Sequence, residues 1–196
     1  MSKKIALGCV IGFVAVIIVI GLIMVAYVVD SRNKMVAKEI EVDNAWAQVQ
    51  NVYQRRLDLV PNLAKSAQAY MQLEKDIFEA IAEARAGIKN AETPAEIESV
   101  NKEISSFIDT IKVLVEDTPE LKASEIVGDL MIQLEGTENR IAVERGRFNE
   151  AIKDYNTYIK MFPRNIIAGW FGFEAREFFE AEEGAETVPE VDLELE

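Results

Sequence analysis

The pattern of apolar and polar positions begins with a long uncharged run near the N-terminus. Ile5 to Val29 is a stretch of 25 residues without a charged side chain, preceded by Lys3-Lys4 and followed by Asp30. A helix of that length is about 37 Å long at ~1.5 Å per residue, and the hydrocarbon core of a bilayer is ~30 Å thick. The pattern predicts a transmembrane helix over residues 5–29, after a short tail of residues 1–4.

A cleaved signal peptide is the main alternative for this run. The apolar region of a signal peptide usually has ~7–15 residues and precedes a small-residue cleavage site, and residues 5–29 fit neither feature. A lipoprotein signal ending at Cys9 is also disfavoured, because too few apolar residues precede the cysteine. We therefore expect a retained anchor. Gly8 and Gly12 have the spacing that lets two such helices approach closely, so a homo-oligomer could form through them.

The middle of the chain, residues 31–162, has the period of amphipathic helices. Its apolar side chains recur at intervals of three and four in stripes that begin at Val42, Ile97 and Val127. Such a stripe lies on one face of a helix and packs against its neighbours, as in a coiled-coil bundle. The sequence therefore predicts an all-α fold.

Helix ends are marked by residues with a physical reason to be there. Thr93-Pro94-Ala95-Glu96 has the sequence of a capping box with proline in the first turn, so a helix begins near residue 94. Asp117-Thr118-Pro119 ends that helix, Ser124 caps the next one, and Phe162-Pro163 ends it.

Pro61 permits two interpretations, a kink in a longer helix or a reversal of the chain. A reversal near Leu57 to Pro61 gives helices of about 27, 31, 23 and 39 residues, which suit an antiparallel up-down four-helix bundle. A kink leaves one rod on the order of 90 Å with much of its apolar stripe unpartnered. We therefore expect the reversal and the four-helix bundle.

The chain ends in an aromatic segment, residues 163–179, and an acidic tail, residues 180–196. The residues from Glu174 on carry a net charge of −9, most of the −13 of the whole chain, and the tail has few large apolar side chains. Such a composition predicts disorder. The aromatic segment either caps the open end of the bundle or places side chains in the headgroup layer of the membrane. The side chains concerned are Trp170, Phe171 and Phe173.

Composition excludes several functions. The chain has no histidine and a single cysteine, so Ser-His-Asp and Cys-His nucleophiles, the HExxH zinc site and disulfides within one chain cannot form. A pI near 4.6 disfavours nucleic-acid binding, which depends on clustered basic side chains. We expect no catalytic residues, no cofactor and no metal.

A polar segment interrupts the third apolar stripe where a helix core would prefer leucine. Its side chains either form a buried hydrogen-bond network with residues of the first helix or line a ligand or partner site. If the first and last helices are antiparallel and start level, Trp46 lies opposite Gly136, which would make room for the indole. The candidate contacts are Trp46, Arg55, Arg56, Asp58, Glu135, Thr137, Glu138, Asn139 and Arg140.

Several separated motifs resemble the bacterial LemA family, in the same order and from the anchor to about Phe179. The motifs are Asn44–Val49 (NAWAQV), Gln54–Leu63 (QRRLDLVPNL), Leu134–Ile141 (LEGTENRI), Asp154–Asn156 (DYN), Phe162-Pro163 and Phe171–Phe173 (FGF). The resemblance implies a membrane anchor followed by an antiparallel four-helix bundle. It implies no reaction, because no catalytic residue or cofactor is established for that family. The acidic end beyond Phe179 matches none of these motifs.

The sequence thus predicts a non-enzymatic, single-pass protein of the bacterial cytoplasmic membrane. Its bundle would bind or scaffold other envelope proteins, with the lipid bilayer and a second copy of the chain as further partners and no nucleic acid. The alternative is a small-molecule or lipid-binding bundle that uses the segment Glu135 to Arg140. The basic residues on the two sides of the span nearly balance, and we expect the bundle outside the cytoplasm.

Overall fold

The described part of the chain is all-helical, as predicted. The computed structural model describes the backbone of residues 2–68 and 75–180 and the side chains of residues 11–68 and 79–180. It contains no strand there, and its helices are α1 Ser2–Ala67, α2 Lys75–Asn90, α3 Pro94–Asp117, α4 Pro119–Lys122, α5 Glu125–Lys160 and α6 Arg164–Phe171. Of the tail expected to be disordered, residues 181–196 lie outside the described residues.

The helices are divided between two compact units. Unit 1 consists of Met1–Asn51 and Gly146–Arg176, and unit 2 consists of Val52–Arg145 and Glu177–Glu196. Helices α1 and α5 contribute to both units, α6 belongs to unit 1, and α2, α3 and α4 belong to unit 2.

In unit 1, helix α1 is exposed along its apolar run and becomes buried where the run ends. The large apolar side chains from Ile11 to Val25 are 48–67% exposed, whereas Ser31 is 1% exposed and Met35 is fully buried. Among the described residues, α1 is the helix long and apolar enough to cross a membrane. Packing against α1 therefore begins immediately after its uncharged residues.

Helices α1 and α5 run antiparallel within unit 1. Lys38 Nζ lies 3.7 Å from Asp154 Oδ2, and the rings of Trp46 and Phe148 have centroids 5.0 Å apart with a tilt of 44°. From the first pair to the second, the residue number rises in α1 and falls in α5, so the two helices run in opposite directions. Buried side chains between them include Val42, Val49, Ile152, Tyr155 and Ile159.

The predicted contact between Trp46 and Gly136 is wrong. Trp46 packs on Phe148, and a Cβ atom built on Gly136 would meet no atom within 4 Å. The expected register assumed that the first helix ends near Asp58 and that both helices start level. Since α1 continues to Ala67, that assumption fails and Trp46 is paired with a residue further along α5.

The predicted reversal near Leu57 to Pro61 is also wrong, because α1 passes through Pro61 and ends at Ala67. A proline inside a helix is about 3 kcal/mol less favourable than alanine. On both sides of Pro61, however, the apolar stripe of α1 is buried, and fully burying one Leu or Val contributes about 1.5–3 kcal/mol. The buried side chains are Leu57, Val60, Leu63, Ala64 and Ala67. Their combined burial outweighs the proline.

The predicted helix ends of α3 and α5 are confirmed. Thr93 Oγ1 accepts a hydrogen bond from the Glu96 amide, and Glu96 Oε2 accepts one from the Thr93 amide, each at 3.4 Å. Ser124 Oγ accepts one from the Val127 amide at 3.5 Å. These reciprocal bonds satisfy amides that have no partner within the helix.

Helices α2 and α3 form a helical hairpin in unit 2, joined by residues 91–93. They approach closely at Gly87, where an added Cβ would lie 3.0 Å from Val100 Cγ2. Glycine removes the side chain at this contact, so the backbone of α2 can lie directly against Val100.

Candidate functional site

Helix α6, in unit 1, has one buried and one exposed face. Ile167 and Ala168 are buried, whereas Ile166 and Trp170, four residues apart on the same face, are exposed. Gly172 ends the helix in a left-handed conformation (φ +74°), and its amide and that of Phe173 both donate to the Ala168 carbonyl. A left-handed residue that ends a helix is most often glycine.

An exposed apolar patch, which we call the aromatic surface, consists of Phe162, Ile166, Trp170 and Phe171. These side chains are 81%, 45%, 71% and 47% exposed, respectively. The Arg32 guanidinium lies over the Phe171 ring, 5.2 Å from its centroid. Arg32 follows the uncharged run of α1 by three residues, so the aromatic surface lies beside the end of that run.

The aromatic residues near the C-terminus are divided between the two units. Phe173 is half-buried and belongs to unit 1, whereas Phe179 belongs to unit 2 and is buried. The Arg145 guanidinium, also in unit 2, lies 4.7 Å from the centroid of the Phe179 ring. Phe179 thus has a packing role, while Trp170 faces outwards.

Asn156 fastens the segment after α6 to the rest of unit 1. Its side chain donates to the Arg176 carbonyl and accepts from the Arg176 amide, each at 2.9 Å. The Arg176 guanidinium in turn donates to Glu39 Oε1 on α1 at 3.1 Å and lies 3.9 Å from Asp43 Oδ1. One residue after α6 is therefore held by both long helices of the unit.

Tyr155 precedes Asn156 in α5. Its side chain is fully buried, and its hydroxyl has no hydrogen-bond partner among the described residues. Burial raises the pKa of Tyr155, Glu39 acts in the same direction, and Arg176 opposes them. The phenol is therefore neutral at physiological pH.

Unit 2 contains a second concentration of polar side chains, which we call the polar cluster: Tyr53, Arg56, Glu98, Asn101 and Arg145. Arg56 Nη1 donates to Asn101 Oδ1 at 3.0 Å. Arg145 Nη2 donates to Glu98 Oε1 at 2.6 Å and to the Glu180 carbonyl at 3.0 Å. These bonds connect α1 and α5 to α3.

Tyr53 is the most buried member of the polar cluster, at 1% exposure. Burial raises its pKa, and the positive charge of Arg145 opposes that shift. The Tyr53 hydroxyl and Arg56 Nε have no hydrogen-bond partner among the described residues. The cluster combines a neutral phenol with guanidinium groups whose charge Glu98 partly neutralises.

A groove of about 840 Å³ follows the polar face of α3 next to this cluster. Its lining includes Glu98, Asn101, Lys102, Ser105, Asp109 and Arg145. These side chains offer hydrogen-bond donors, acceptors and both signs of charge. Within the described residues no group of three Cys, Asp or Glu side chains is arranged to hold a metal ion.

The structure separates most of the predicted contact residues. Arg55 is exposed, Arg56 bonds Asn101, and Asp58 pairs with Arg85 of α2. Within the polar segment of α5, Thr137 is buried and its hydroxyl donates to the Leu134 carbonyl of its own helix at 2.7 Å. The other four side chains are exposed: Glu135, Glu138, Asn139 and Arg140. Of the two alternatives for this segment, the buried hydrogen-bond network with Arg55, Arg56 or Asp58 is therefore not found among the described residues.

The sequence interpretation missed Asn101, Arg145 and Asn156 as members of these sites. Asn156 gave a usable signal, because it lies next to Tyr155 and between the buried Ile152 and Ile159 in the apolar stripe of α5. An amide among such neighbours needs a partner. Nothing in the sequence indicated which residue that partner is.

Comparison with known proteins assigns the chain to a family. The model of the LemA family matches residues 45–193. Protein LemA of Metamycoplasma hominis is 24% identical over 156 residues, which cover 78% of this chain and 69% of that protein. The family match begins beyond the uncharged run and, unlike the motifs in the sequence, includes most of the acidic end. Because the family model matches most of the length of this chain, the chain belongs to the LemA family.

Proposed function

We propose that this protein is a single-pass protein of the bacterial cytoplasmic membrane with a non-enzymatic role in binding or scaffolding other envelope proteins. Residues 5–29 cross the membrane, and the helices that follow form an antiparallel four-helix bundle outside the cytoplasm. The bilayer, other envelope proteins and a second copy of the chain are its partners.

The observation that carries this proposal is the change in burial along α1. The large apolar side chains from Ile11 to Val25 are 48–67% exposed, and burial starts at Ser31 and Met35. A soluble protein rarely exposes so large a contiguous apolar surface. A lipid environment over residues 5–29 explains why the exposure ends where the charged residues begin.

Contacts within unit 2 support the bundle. Asp58 pairs with Arg85 of α2, Arg56 bonds Asn101 of α3, and Glu98 of α3 pairs with Arg145 of α5. Together with the hairpin of α2 and α3, these contacts connect four helical segments. Short connections such as residues 91–93 are typical of antiparallel neighbours in bundles.

A binding role is supported by apolar side chains that face solvent on α5. Ile132 is 68% and Val143 is 52% exposed. They are eleven residues apart, about three turns of helix, so both lie on the same face of α5. We expect a partner protein to cover this face.

Crosslinking from this face tests the binding role. A photoreactive amino acid at Ile132 of the membrane-bound protein is expected to capture one or a few envelope proteins, identified by mass spectrometry. Glu138, exposed and about 240° around the same helix, is the matched control and should capture none of them. Equal capture at both positions, or none at Ile132, contradicts the binding role.

The membrane topology has its own test. The full-length protein is expected to stay with membranes after alkaline extraction and to float with them in a density gradient. Protease added to intact spheroplasts should digest the bundle. Release by alkali contradicts the anchor, and resistance to protease contradicts the location outside the cytoplasm.

The groove beside the polar cluster supports a second candidate function, the binding of a small polar molecule. This replaces the predicted pocket at Glu135 to Arg140, whose charged and amide side chains are exposed. Native mass spectrometry of protein purified from its own membranes should detect an additional mass, which N101A should remove. If wild type and N101A have the same mass spectrum apart from the substitution, this alternative fails.

A further inference from the structure

We infer that the aromatic surface of α6 lies in the headgroup layer of the same membrane that α1 crosses, where phospholipid covers it. This inference rests on the proposed anchor. It adds a second membrane contact, made by residues that follow the span by more than 130 positions in the sequence.

Helix α6 ends close to the point where the uncharged run of α1 ends. Arg32 contacts Phe171, and Arg32 lies three residues after Val29, about 4.5 Å along the helix axis. The polar headgroup region accounts for the difference between a core of ~30 Å and a bilayer of about 40–45 Å, or several ångströms on each side. The end of α6 therefore lies within the depth of that layer.

The side chains of the aromatic surface are exposed. Phe162 is 81% and Trp170 is 71% exposed in unit 1. Exposed clusters of this kind in water mark a surface that another component covers. Trp is enriched at membrane interfaces because its apolar ring lies towards the lipid while its N–H remains hydrated.

Positively charged side chains lie around the aromatic surface. The Arg164 guanidinium lies over the Tyr158 ring, 4.2 Å from its centroid, and the Arg32 guanidinium lies over Phe171. Lys34 forms an ion pair with Asp30 at 2.8 Å. Two guanidinium groups held on aromatic rings at this level match the phosphates of lipid headgroups. A soluble protein partner would not need to lie at this depth.

Fluorescence provides the test, because Trp46 and Trp170 are the two tryptophans of the chain. In full-length W46F in phosphatidylcholine and phosphatidylglycerol vesicles, lipids with bromine near the headgroup should quench Trp170 more than lipids with bromine near the bilayer centre. Aqueous acrylamide should quench it weakly. W170F, which retains Trp46 packed on Phe148, is the control and should be little affected by either lipid.

Two results overturn the inference. Strong quenching of Trp170 by acrylamide without quenching by either lipid places the surface in water, and maximal quenching by the deep bromines places it in the hydrocarbon core. Subtracting the W170F signal from that of wild type gives the same information without W46F, should W46F not fold. Flotation of the same vesicles separates this failure from failure of the anchor, because an anchored protein floats whether or not Trp170 is quenched.

Discussion

Asn156 shows how one side chain determines where a distant part of the chain lies. It satisfies both backbone groups of Arg176, and it does so from a buried position, at 7% exposure. A backbone donor and acceptor left without partners would each cost free energy, so the amide has an effect well beyond its own burial.

We expect N156A to lower the free energy of unfolding by about 1–3 kcal/mol, because it removes two hydrogen bonds that contribute about 0.5–1.5 kcal/mol each. Limited proteolysis should then cut more readily after Arg176. N139A is the control, since Asn139 is exposed on the same helix, and its effect should remain within about 0.5 kcal/mol. Equal effects of the two substitutions would contradict the role of Asn156.

The burial of Tyr53 predicts how the stability of the protein depends on pH. Its pKa is raised above 10.0 by burial, so the unfolded state loses the phenolic proton at a lower pH than the folded state. Its contribution to stability is therefore complete below pH 10 and is lost as the pH rises through the pKa of the folded state. We expect Y53F to lose less stability than wild type above pH 10, measured by denaturant unfolding in detergent.

At neutral pH the same substitution tests whether the hydroxyl has a partner. Because the Tyr53 hydroxyl is buried without a hydrogen bond among the described residues, removing it should leave stability unchanged or raise it by about 1 kcal/mol. A clear loss of stability in Y53F at pH 7 would show that the hydroxyl is bonded.

At the scale of the element, the helical character of α1 can be predicted from the sequence, but its path through Pro61 cannot. The uncharged run and the capping signals at Thr93 and Ser124 are local: the run is helical, as predicted, and the helix starts predicted at the two caps were confirmed. The path through Pro61 is not local. It depends on whether the apolar stripe on both sides finds buried partners, and the sequence does not identify them.

Replacing Pro61 tests this account of α1. P61A restores an amide donor in the helix interior, so we expect the free energy of unfolding to rise by about 1–3 kcal/mol, up to the helix-interior difference between the two residues. P119A is the control, because Pro119 occupies the first turn of α4, where its missing donor has no partner to lose. A fall in stability for P61A would indicate that the helix ends at the proline.

At the scale of the whole molecule, composition predicted the class but not the sites. The helical period and the absence of histidine follow from the sequence alone. The partners of Arg56, Arg145 and Asn156 are set by contacts between residues that are 20 to 47 positions apart. The identity of these partners depends on the register between helices. The predicted register was wrong because it assumed that the first helix ends near Asp58.

The continuity of α1 also limits where the protein can search for partners. A domain on a flexible linker samples a hemisphere above its anchor, with a radius set by linker length. Here the proposed span and residues 31–51 belong to one helix, and no loop separates them. In the proposed topology, the part of unit 1 that follows the span is therefore held at a fixed height above the membrane, and its encounters with other membrane proteins would reduce to diffusion in two dimensions.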